Sequence, residues 1–88
     1  MIIGNVVGSL WATRKDERLN GLKLLVVKPK YAEGLESVLV AADLANAGVG
    51  DTVLVTKGSS ARTAFGKEKI PIDSVIVGVV DSVDIVEG

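Results

Sequence analysis

The run Val75-Ile76-Val77-Gly78-Val79-Val80 constrains the fold more than any other part of the chain. Valine and isoleucine in unbroken sequence read as a β-strand. Simple alternation points Val75, Val77 and Val79 one way and Ile76 and Val80 the other, so the strand is apolar on both faces. The segment Leu22-Lys23-Leu24-Leu25-Val26-Val27 has the same character: Leu22, Leu24 and Val26 are backed by Leu25 and Val27. One face of each strand can fill a core. A chain of 88 residues has nothing of its own to cover the other face. Large uncovered apolar patches are rare on monomers and mark interfaces. The expectation is a stable homo-oligomer, with Val75, Ile76, Val77, Val79 and Val80 as its core or interface strand.

Further strands are expected over residues 2–12, 22–27, 36–43, 52–56 and 74–80, with 83–86 as an extension of the last. Gly4 and Gly8 read as bends or bulges in the first strand. Asn20-Gly21 is a turn signal, residues 29–34 should break the second strand, and residues 46–51 should form a tight turn. Residues 59–65 suit one short helix, capped by Ser59 and ended by Gly66. Five strands and one short helix near the fourth-to-fifth connection predict a mainly β protein. Its architecture is a small OB-like barrel in a single domain over residues 1–88, with an SH3-like barrel as the competitor.

Composition excludes several classes of function. There is no His and no Cys, which removes most metal, thiol and triad chemistry and leaves no disulfide to support a small core. No cofactor, metal or catalytic residue is expected, and the chain reads as a non-enzyme. Ten basic and 11 acidic residues give a net charge of -1, which offers no electrostatic footprint for nucleic acid. Residues 1–8 lack the basic start of a signal peptide, and no apolar run is long enough to span a bilayer. An intracellular protein without a membrane partner is expected.

The motifs that could carry chemistry are weak. Gly48-Val49-Gly50 begins like a dinucleotide fingerprint, but Val53 stands at the third glycine and a strand follows. Phe65-Gly66-Lys67-Glu68 lacks the hydroxyl of a phosphate loop. Ser59 or Ser60 with Lys57 or Lys67 has no apolar pocket to deprotonate a lysine. Asp43, Asp51, Asp73, Asp81 and Asp84 fit turn-forming roles. Trp11 reads as a core or interface residue. Single-strand binding would need stacking aromatics, and the whole chain holds only Trp11, Tyr31 and Phe65. What remains is the polar loop Gly58-Ser59-Ser60-Ala61-Arg62, a recognition element. Its small residues allow close backbone approach and could line a polar hole on a symmetry axis. Arg62 either pairs with a surface acid such as Glu68 or offers its donor fork to a neighbouring subunit.

Several stretches, taken in order, resemble the vertex proteins of bacterial microcompartment shells. They are Ile3-Gly4-Asn5-Val6-Val7-Gly8, Trp11-Ala12-Thr13-Arg14-Lys15, residues 19–27, Ala47-Gly48-Val49-Gly50-Asp51, Gly58-Ser59-Ser60-Ala61-Arg62, Pro71-Ile72-Asp73 and Ile76-Val77-Gly78-Val79-Val80-Asp81. Asn46 stands where the family often has glycine, and Asn tolerates the same left-handed backbone. Asp51 stands where Glu is common. The resemblance implies a homopentamer at the five-fold vertices of a polyhedral shell in the bacterial cytoplasm, docked against hexameric shell proteins. It leaves open whether the 58–62 loop meets an axial pore or a subunit contact. The alternative is an OB-type module for single-stranded nucleic acid or oligosaccharide.

Overall fold

The computed structural model describes residues 1–12, 15–31, 37–66 and 70–86. Five strands run over Ile2–Ser9 (β1), Leu24–Lys30 (β2), Leu39–Asp43 (β3), Thr52–Lys57 (β4) and Ser74–Val79 (β5), with one helix over Ser59–Phe65 (α1). The sheet closes on itself in the order β1-β2-β3-β5-β4. The β3–β5 pair is parallel and the others are antiparallel. The expected OB-like barrel is therefore the fold, with its helix between β4 and β5.

Alternation along the strands fills the barrel. Leu25 and Val27 of β2, Ala41 of β3, Val53 and Val55 of β4, Val6 and Ile76 form one buried cluster, joined by Ala47. Each of the valine, leucine and isoleucine side chains contributes about 1.5–3 kcal/mol by leaving water. Gly4 does not bend β1. A Cβ there would lie 2.5 Å from Val27 Cγ1 and 2.9 Å from the Lys28 carbonyl, so glycine is what lets β1 pass this close to β2. The bulge falls beside Gly8 instead: Val6 opposes Val27 and Gly8 opposes Val26, leaving Val7 as the extra residue.

Strand ends differ from expectation: β1 stops at Ser9 rather than Ala12, β2 begins at Leu24 rather than Leu22, and β5 stops at Val79 rather than Val80. Strand β2 runs through Pro29, which faces Gly4 of β1. Pairing with β3 has ended at Val27–Leu39, so Pro29 sits at a locally open edge that does not need its missing N–H. Residues 83–86 form no strand. The expected start of β3 at Glu36 lies outside the described residues, as do the break to Gly34 and the Lys67 and Glu68 positions.

Strand β5 departs from simple alternation. Leu54 opposes Gly78 while Val55 opposes Ile76, so β5 holds one residue more than β4 here. The bulge at Val77 places Ile76 and Val79 opposite the inward Val55 and Val53, and Val75 opposite Thr56. The expected grouping of Val75, Val77 and Val79 is thus broken. Val75 and Ile76 are both fully buried, Val77 and Val79 are exposed, and Val80 is half-buried. Helix α1 packs against β4 and β5, and Ala61, Ile70 and Val75 are buried outside the inner cluster. The chain therefore covers part of its own outer face.

The β3–β4 turn is organised by Asp43, whose side chain is 1% exposed. Its carboxylate accepts the Ala45 and Ala47 N–H groups, each at 2.9 Å, and lies 3.4 Å from Lys23 Nζ. The Lys23 ammonium also donates to the Ala47 carbonyl. Asn46 takes the left-handed conformation (φ 56°) that its side chain tolerates. Val6 N–H donates to the Asp51 carbonyl and Gly50 N–H to the Val6 carbonyl, both at 2.9 Å, stitching the turn to β1.

Two substitutions test this account. Gly4→Ala forces a methyl against Val27 and backbone, and should cost about 2 kcal/mol of unfolding free energy. Asp43→Ala leaves buried N–H groups without their acceptor and should cost about 3 kcal/mol. Urea denaturation with an unchanged m value checks both.

Candidate functional site

The Gly58-Ser59-Ser60-Ala61-Arg62 loop is the entry to α1 and the helix itself. Gly58 has φ 67° and ψ -141°, a conformation open to glycine and hostile to a side chain. It is the residue at the helix N-cap, and its N–H donates to the Asp73 carbonyl at 2.8 Å. The expected Ser59 cap is absent, because Gly58 occupies that position and no side-chain cap bond is made. Gly66 ends the helix as expected, in the left-handed region.

The loop's residues divide by environment. Ser59 and Ser60 are exposed. Ala61 is fully buried and anchors the helix, so it cannot line a hole on an axis. Arg62 is half-buried, and its Nη1 donates to the Ile72 carbonyl at 3.3 Å. At least part of the donor fork thus serves the chain's own backbone, tying α1 to the segment that leads into β5. The Ser–Lys pairing considered above has no support in this geometry for Lys57, and Lys67 lies outside the described residues. Among the described residues no cluster of His, Cys, Asp or Glu could hold a metal ion.

The second candidate surface is the outer side of β2 and β3. Leu24 opposes Ala42 and Val26 opposes Val40, and these four point away from the barrel core. Val40 is 43% exposed, while Leu24 and Val26 are half-buried. A groove of about 330 Å³ runs over this face between Leu10, Leu24, Val40, Pro71 and Ile72. An adjoining groove of about 430 Å³ shares Leu10 and Leu24 and adds Trp11, Leu22, Lys15 and Lys23. Trp11 is 90% exposed, which rules out the core placement. The lining is aliphatic with one tryptophan. A face built for single-stranded nucleic acid on strands 2 and 3 would carry stacking aromatics.

The loop carrying Trp11 continues into a 3-10 turn over Glu17–Leu19. Arg18 grips Asp16 with two guanidinium contacts, Nε to Oδ1 at 2.9 Å and Nη2 to Oδ2 at 2.7 Å, and Arg18 N–H also donates to Oδ1. These bonds hold the Asp16 carboxyl at about 2, below its ordinary 3.8.

Comparison with known proteins places this geometry. The family described as "Ethanolamine utilisation protein EutN/carboxysome" matches residues 1–81. The chain belongs to this EutN/CcmL family. It is 44% identical over 89 residues to the bacterial microcompartment shell vertex protein GrpN of Rhodospirillum rubrum, covering 98% of this chain and 99% of that one. It is 38% identical over 90 residues to the carboxysome shell vertex protein CcmL of a Synechocystis strain, covering 100% of this chain and 90% of that one. Among solved structures, the GrpN pentameric microcompartment shell protein from R. rubrum superimposes with a TM-score of 0.82 at 42% identity, covering 98% and 100% of the two chains. A carboxysome subunit, CcmL, gives 0.87 at 38% identity, covering 97% and 91%. These EutN/CcmL relatives are shell vertex proteins, a structural role rather than the nucleic-acid-binding alternative.

Sequence reasoning missed the groove, because it joins the end of β1 to Pro71 and Ile72, far away along the chain. It also missed the Arg62–Ile72 bond, which no local pattern announces. In the EutN/CcmL chain described here, Asp16 should titrate near pH 2 in a carboxyl-detected NMR experiment. The lowered carboxyl means that its contribution to the 3-10 turn is full above pH 3.8 and is lost as pH falls through about 2. Arg18→Ala should return the midpoint towards 3.8.

Proposed function

We propose that this chain assembles into a closed homopentamer that caps the five-fold vertices of a bacterial microcompartment shell in the bacterial cytoplasm. The observation that carries the reading is the end-to-end likeness to GrpN, a pentameric microcompartment shell protein of nearly the same length and fold. The physical role is geometric. Hexagonal tiles alone form a flat sheet, and pentagons supply the curvature that closes it. The edges of the ring would then meet hexameric shell proteins. No chemical step is involved, in keeping with a chain that lacks His and Cys. The 88 residues act as one domain.

The apolar face of β2 and β3 is the subunit contact in this reading. A cyclic ring needs two different patches per copy, each meeting its complement on the next. The face bearing Leu24, Val26 and Val40, extended by Leu10 and Trp11, supplies one of them. The exposed Ser59 and Ser60 of the 58–62 loop sit at a subunit contact or the axis, with Ala61 and Arg62 holding the loop from behind. In β5, Val77 is exposed for contact, Val79 lies on the inward face at the open rim of the barrel, Val75 and Ile76 are buried, and Val80 is half-buried.

The native mass tests this directly. Five chains of 9.1 kDa make 45.5 kDa, the mass expected by native mass spectrometry or light scattering. Val40→Glu should reduce it to that of one chain while leaving the circular dichroism spectrum unchanged. A monomeric wild type would overturn the reading, and an unaltered ring in the variant would remove β3 from the contact.

A further inference from the structure

The groove beside Trp11 has an apolar floor and a cationic rim, and the chain supplies a segment of matching character that cannot reach it. Leu10, Trp11, Leu22 and Leu24 give the floor and Lys15 the rim charge; Lys23 also lines the groove, with its ammonium held by Asp43 and the Ala47 carbonyl. Residues 81–87 read Asp-Ser-Val-Asp-Ile-Val-Glu, three acids with no base among them. Ile85 and Val86 are 59% and 93% exposed, and the segment forms no regular structure over residues 82–86. Such aliphatic side chains held in water have a reason to be there when another surface takes them.

The segment leaves the barrel at the wrong end for its own groove. Val80 N–H donates to the Thr52 carbonyl at 2.8 Å, and residues 80–83 lie beside Lys30 and Tyr31, at the C-terminal end of β2. The Trp11 groove lies at the other end of β2, against Leu24. The six steps from Leu24 to Lys30 span about 20 Å at strand rise. Ile85 is two residues beyond Val83 and reaches about 7 Å. The groove of the same chain is out of range.

We propose that residues 83–86 of one copy seat in the Trp11 groove of a neighbouring copy, with Ile85 and Val86 against Trp11 and Leu22 and Asp84 beside Lys15. The occupant is a second copy of this chain because charge and apolar pattern match, and because groove and segment are different patches that a rotation can pair around a ring. A Trp in a desolvated pocket is the usual anchor of such a contact. This docking rests on the ring reading above and specifies one of its contacts.

The chain has one Trp and no Cys, so the test is free of background. Native mass is measured on every sample, and Trp11 fluorescence is quenched with acrylamide. In the ring, Ile85→Ser combined with Val86→Ser should raise the quenching constant several-fold and shift the emission to the red. Leu22→Cys combined with Ile85→Cys should give a ladder of disulfide-linked chains under oxidation. An intact ring with unchanged quenching and no ladder overturns the docking and leaves the ring standing. Loss of the ring in the double-serine variant counts in favour when the cysteine pair gives the ladder, and against when it does not. A wild type that forms no ring at all overturns both readings, and the mass alone identifies that case.

Discussion

Asp43 holds the place where the barrel changes direction. Its carboxylate is withdrawn from water and compensated by two backbone N–H groups and the Lys23 ammonium. A buried charge is tolerated when it is satisfied in this way. Because Ala45 and Ala47 are held there, the chain can turn at Asn46, and Asp51 and Gly50 arrive where Val6 of β1 accepts and donates. Closure between β4 and β1, the burial of Val53 and Val55, and the placing of α1 beyond β4 all follow from that turn.

A barrel of this size fills its interior with small aliphatic side chains and leaves apolar residues outside. The helix solves part of the problem by packing against β4 and β5, where Val75 is buried. Among the described residues the β2–β3 side has no such helix over it. For a short chain without disulfides, moving that surface out of water by association adds burial that the monomer cannot supply. The link between composition and assembly is therefore energetic: the surplus of valine and leucine that makes the strands also makes a lone subunit unfavourable.

Much of the fold was legible in the sequence. The five strands, the short helix ended by Gly66 and the turn through Asn46 follow local rules of alternation and backbone tolerance, and those rules were obeyed. The failures are tertiary. Pro29 was expected to end β2, but its neighbour on one side is missing, so the rule against proline in a ladder had nothing to act on. Ser59 was expected to cap α1, yet the preceding glycine takes a backbone shape that no serine side chain is needed to support. The expected division of β5 between two faces failed at Val77. The candidate loop was found by composition, but its division into exposed serines, a buried Ala61 and a tethering Arg62 depends on contacts with Ile72 and Asp73, which arrive from elsewhere in the chain.

The bulge at Val77 gives β5 one residue more than its pairing with β4 uses. Ile76 and Val79, three apart, lie across from two β4 residues of the same face, whereas regular pleating would place them on opposite faces. Removing Val77 would leave Ile76 and Val79 two apart, on one face by regular pleating and still across from Val55 and Val53. Both halves of β5 would keep their partners on β4, and what would be lost is the extra residue and the local twist that a bulge adds. Exchanging Val77 for another residue of similar size leaves that bulge in place. Val77 is thus a residue that the pairing with β4 does not call for, an exposed side chain gained by lengthening the strand.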